Sequence, residues 1–127
     1  MPLFEKVRRR ASRIPDLVRL SDTEILNLRS TVPGLPEDYL QFLETVGFGG
    51  LEGIQIYSGP VSPSSLYGNF KGDPSSIILF GDDMQGYCFG FDTKRGFSLV
   101  EVDPQGSPET LAEDSFLSLV AAYLLDD

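Results

Sequence analysis

Three β-type runs crowd into the 26 residues from Ile77 to Val102, and they decide the kind of fold this chain can adopt. Ile77 to Phe80 is continuously apolar, which suits a strand covered on both faces. Tyr87, Phe89 and Phe91 then alternate with Cys88, Gly90 and Asp92, small residues that belong where something packs closely. Phe97 to Val102 follows after Asp92-Thr93-Lys94-Arg95-Gly96, a turn of hairpin length ending in glycine. Together the runs predict an antiparallel β-meander, a sheet whose apolar face other elements must cover.

Helical patterns on either side supply that cover. Leu3, Phe4, Val7, Ala11 and Ile14 predict a short helix over 3–13, stopped by Pro15, with Arg8, Arg9 and Arg10 turned to solvent. Ser21 followed by Glu24 is a capping box ahead of Ile25 and Leu28. That helix ends near Val32-Pro33-Gly34. Pro36 suits a first helical position, Glu37 and Asp38 the positive end of the dipole, and Tyr39, Phe42, Leu43 and Val46 form one stripe. Gly47, Gly49 and Gly50 terminate this helix. Ile54 to Tyr57 alternates like a strand. Ser58 to Ser76 is assigned mainly to loop, anchored by Leu66, Tyr67 and Phe70. Asp114 or Ser115 caps a last helix in which Phe116, Leu119, Val120, Tyr123 and Leu124 recur at three and four residues. The expectation is an α+β fold in one domain over 1–127: an antiparallel meander sheet covered by N-terminal and C-terminal helices, with residues 1–20 as a basic helical extension.

A chain of 127 residues with 41% hydrophobic and 23% charged residues has one domain's worth of core and an ordinary globular composition. No apolar run approaches the ~20 residues of a membrane-spanning helix, and residues 1–20 lack the apolar stretch of a secretory signal. A soluble, cytoplasmic protein is expected. The single cysteine, Cys88, excludes an internal disulfide. Without histidine the chain lacks Ser-His-Asp and Cys-His catalytic arrangements and the commonest metal ligand. Cys88 has no imidazole to activate it and is expected as a buried small hydrophobe. No glycine-rich phosphate loop precedes a Lys-Ser or Lys-Thr pair. These omissions point away from an enzyme and from any bound cofactor.

Charge is the most informative quantity for function. The net charge of −9 is unevenly placed: residues 1–35 hold seven positive and four negative side chains, and residues 36–127 hold three and fifteen, so a +3 head precedes a −12 body. Such a body repels nucleic acid and anionic membrane lipid and attracts basic proteins within the reach of salt screening.

Ser21-Asp22-Thr23-Glu24-Ile25, then Leu35-Pro36-Glu37-Asp38-Tyr39-Leu40-Gln41-Phe42-Leu43 with Gly49-Gly50 behind it, resemble the SUKH superfamily, the Smi/Knr-like proteins, in its pattern of acidic helix, LPxxYxxFL and glycine pair. Gly81-Asp82-Asp83 with Tyr87 to Asp92, and Ser115-Phe116 with Leu119, resemble the family's later turn-and-strand element and closing helix. The resemblance spans about residues 21–125. Met84 and Gln85 stand where the family usually carries further glycines and an aspartate, and Gly47-Phe48 replaces its usual asparagine. What the resemblance implies is a bacterial immunity protein that binds and neutralises a toxin domain or, in a fungal branch, a regulatory interaction protein.

In a meander, the turn from Asp82 to Gly86 lies at one sheet end and the turn from Asp92 to Gly96 at the other. Asp82, Asp83, Glu101 and Asp103 are thus expected along one edge, where their negative surface can meet Lys or Arg of a basic toxin. The plainer alternative is that they form turns and solubilise the surface. Tyr67 and Phe70 are expected either as interface anchors on the loop or as a lid packed on the domain. An acidic metal site from Asp82, Asp83 and Asp92 is disfavoured, because Asp92 belongs at the far end. Three functions follow: immunity by occlusion, with a cytosol-acting toxin such as a nuclease preferred over a wall hydrolase; a regulatory or scaffold binding module; and, least favoured, a metal-dependent enzyme.

Overall fold

The computed structural model describes residues 2–125. Helix α1, Leu3–Ala11, turns Val7 and Ala11 inward until both are essentially sealed from solvent. It packs on the C-terminal helix, and Val7, Ala11 and Leu20 join the main core. Val18 pairs with Phe48 in an isolated antiparallel bridge that ties this segment to the sheet margin. In α2, Asp22–Thr31, the Ser21 hydroxyl accepts from the Glu24 N–H at 3.2 Å and Glu24 Oε1 accepts from the Ser21 N–H at 2.9 Å, the complete capping box. Helix α3, Glu37–Thr45, begins one residue after Pro36, which occupies the cap and not the first helical position. Its Tyr39, Phe42 and Leu43 are fully buried.

Six strands follow: β1 Gly49–Gly50, β2 Gln55–Val61, β3 Ile77–Asp82, β4 Cys88–Asp92, β5 Ser98–Val102 and β6 Pro108–Thr110. They pair in sequence order, every neighbour antiparallel, in one open sheet. The meander is as expected, extended at each edge by a strand that no hydrophobic run announces. Strand β2 continues through Ser58 to Val61, residues assigned to loop from the sequence, with an irregular register against β3. Helix α4, Phe116–Leu124, closes the chain behind a Ser115 cap.

The protein is therefore an α+β domain with helices at both ends of the chain. Ile56, Phe80, Phe89, Phe91 and Leu99 face the helices, where Phe80, Phe91 and Phe116 meet Tyr39 at ring distances of 5.1–5.9 Å. Ile77, Leu79, Cys88, Val100 and Val102 form a second, smaller core on the opposite face, beneath Tyr57, Val61, Tyr67 and Phe70. The continuous apolar run at 77–80 has this cause: alternate side chains serve two cores. Gly90 marks the close approach anticipated for the small residues of β4, since a Cβ there would lie 2.0 Å from the Ile78 carbonyl oxygen.

Candidate functional site

The register places the acidic residues. Asp82 is opposite Cys88, and Cys88 is opposite Val102, so the 82–88 turn and the 102–108 connection emerge side by side from one end of the sheet. Asp82, Asp83, Glu101 and Asp103 all sit at that end. Asp92 pairs with Ile77 and Ser98 at the other end. Among the described residues no three Asp, Glu or Cys side chains are grouped to hold a metal ion.

The four carboxylates do not share one face. Asp82 is level with Cys88 on the side of the second core, where its Oδ2 accepts the Tyr57 hydroxyl at 2.6 Å and its Oδ1 accepts the Met84 N–H at 2.8 Å. Glu101 lies between Val100 and Val102 in β5 and points the other way, toward the helices. There it lines a cleft of about 350 Å³ with Phe89, Leu111, Glu113, Leu119, Ala122 and Tyr123. Partial burial, followed by the charges of Asp83, Glu109, Glu113 and Asp103, pushes the Glu101 carboxyl above its ordinary range. Glu109 is its direct cross-strand neighbour. Burial, then Asp83, Glu101 and Glu113, likewise raises the Tyr123 phenol. Glu109, Glu113 and Tyr123 thus join the acidic end, although nothing in the sequence marked them as site residues and Tyr123 read only as part of a helix stripe.

Asp83 and Asp103 begin two turns with the same construction. Asp83 Oδ1 accepts the N–H groups of Gln85 and Tyr87 at 2.8 and 3.1 Å, and Asp103 Oδ1 accepts those of Gln105 and Ser107 at 3.0 and 2.9 Å. The backbone closes in parallel, from Asp83 N–H to the Tyr87 carbonyl and from Asp103 N–H to the Ser107 carbonyl. The signal is in the sequence as a repeated Asp-x-Gln-Gly, at 83–86 and 103–106. Each aspartate is therefore a turn former, as the plainer alternative held. Each also adds a negative charge to the same rim.

Tyr67 and Phe70 take the lid arrangement. Both are half-buried against the second core, with rings 6.2 Å apart, and the Tyr67 hydroxyl donates to the Val102 carbonyl at 3.2 Å. Cys88 is buried beneath them, and desolvation raises its thiol pKa, which suits packing and not nucleophilic attack. Between this lid and the twin turns runs a groove of about 340 Å³ lined by Tyr57, Leu66, Tyr67, Asp82, Met84, Gly86, Cys88 and Pro104.

None of the ion pairs among the described residues engages Asp82, Asp83, Glu101, Asp103, Glu109 or Glu113. Lys94 and Arg95 lie at the opposite end of the sheet, beside Asp73 and Asp92. The arrangement sets unpaired carboxylates beside apolar concavities at one end of the sheet. Compared with protein-family models, curated proteins and solved structures, the chain matches none. Among the described residues no helix is long and apolar enough to cross a membrane.

Proposed function

We propose that this chain is an immunity protein that binds a basic toxin domain in the cytoplasm and neutralises it by occlusion, with no bond-making step of its own. One observation carries the reading: carboxylates from β3, β5, β6 and the two connecting turns converge at one end of the sheet, and no ion pair among the described residues engages them. A fold that holds like charges together gives up some stability, and a cationic partner returns it on binding. The cleft beside Glu101 and Glu113 suits an arginine or lysine, because its apolar walls accept the aliphatic stem and its carboxylates the head. The resemblance to the SUKH superfamily supports the same class.

The deciding experiment mixes the purified chain with candidate toxin domains, any encoded beside its gene first, and expresses each pair in one cell. A complex that weakens as salt is raised, together with rescue of growth, is expected. Absence of both removes the immunity reading. A complex without rescue would leave the surface to a regulatory or scaffold module.

A further inference from the structure

On the side of the sheet away from the helices, we propose that the groove between Leu66 and the twin turns receives an apolar side chain from a cationic segment of the partner protein. This rests on the acidic-surface reading and adds a position and a chemistry to it. Leu66 and Met84 are 49% and 55% exposed and form the groove's lips, with Pro104 beside them. Large apolar side chains left in water around one concavity are a docking feature when they cluster. Met84 is also held at φ +62°, a conformation unfavourable for an unbranched L-residue and one that glycine would adopt freely. The fold therefore bears backbone strain that places a flexible, polarizable side chain at the groove mouth.

The surrounding charge selects the occupant. Asp82 lies within the groove, Asp83 and Asp103 start the turns that border it, and no lysine or arginine lines it. An apolar side chain flanked by lysine or arginine fits both features, whereas acidic segments and anionic lipid are repelled. The volume is at the low end of ligand pockets, which are ~300–1,000 Å³, and so suits one or two side chains.

The test uses the full chain, labelled with nitrogen-15, titrated in low salt with the peptide acetyl-Lys-Arg-Leu-Leu-Arg-Lys-amide and with its counterpart carrying two serines for the two leucines. The leucine peptide is expected to move the amide signals of Tyr67, Met84, Gly86 and Cys88 and to bind about tenfold more tightly than the serine peptide. Leu66→Ser should abolish that preference. Met84→Gly should abolish it too without lowering Tm, because glycine adopts the positive φ freely, so the lost preference is not a loss of folding. Equal binding of both peptides, with shifts confined to Asp83, Glu101 and Asp103, overturns the groove and leaves the acidic surface standing. No binding of either overturns the groove and electrostatic capture together. Groove signals that move with protein concentration alone would seat a second copy there and overturn the proposal.

Discussion

At the scale of single residues, two substitutions separate what the fold needs from what it tolerates. Tyr39 is fully buried among Phe80, Phe91 and Phe116, and among the described residues its hydroxyl has no hydrogen-bond partner. An unsatisfied buried hydroxyl is a net cost, so Tyr39→Phe should stabilise the protein by about 1 kcal/mol in denaturant unfolding. A loss of stability would mean that the hydroxyl is satisfied after all. Gly90 gives the opposite case. A methyl group at 2.0 Å from the Ile78 carbonyl oxygen meets backbone and cannot be relieved by a rotamer change, so Gly90→Ala should cost on the order of 3 kcal/mol. Glu101 gives a pH-dependent case, because burial and four neighbouring carboxylates raise its folded pKa above the unfolded value of about 4.3. Its charge therefore opposes folding, with no penalty below the unfolded pKa and the full penalty above the raised folded one. Glu101→Gln should melt higher than the natural chain at pH 7, by about 0.5 kcal/mol, with the advantage gone near pH 4. Equal melting at both pH values would remove the charge crowding from the account.

At the scale of elements, signals carried by neighbours in the chain were legible, and signals created by pairing across space were not. The Ser21 and Glu24 cap is wholly local and forms as its sequence states, and Ser21→Ala should cost about 1 kcal/mol in thermal melts if the cap matters as the geometry indicates. Strand β1 is Gly49–Gly50 and β6 contains Pro108, residue types with little intrinsic strand preference; each is a strand only because a neighbour pairs with it. Strand β2 hides for a related reason, since Ser58, Gly59 and Pro60 read as loop and in the fold form the irregular stretch between the Ile56–Gly81 and Val61–Leu79 pairs. The acidic site was legible as an end of the sheet but not as two faces. Leu99, Val100 and Val102 are all buried because both faces of β5 are covered, so alternation of burial does not announce which way Glu101 points. The repeated Asp-x-Gln-Gly was the available clue that the two turns are twins.

At the scale of the whole molecule, charge is segregated along the strands. Asp82, Asp83, Glu101 and Asp103 occupy one end, whereas Lys94 and Arg95 sit at the other, partly neutralised by Asp73 and Asp92. Side-chain and backbone donors of Ser75, with the Lys94 ammonium, hold the Asp73 carboxyl down to about 2, so the Asp73–Lys94 pair keeps its charges through mild acid. A basic partner bound as proposed would be steered toward the carboxylate end before contact forms. Steering of this kind acts on the association rate and fades once the Debye length, ~10 Å at 0.1 M salt, falls below the separation of the charges. With a basic partner in hand, raising salt from 0.05 to 0.5 M (about one decade) should slow association about tenfold while changing dissociation far less. Replacing Glu101 and Glu113 by lysine should reproduce that loss at low salt, whereas replacing Asp73 and Asp92 by lysine, the same change of net charge at the other end, should not. Stopped-flow mixing measures each rate directly, and an equal loss from both sets would show that net charge alone, and not its placement at one end of the sheet, governs capture.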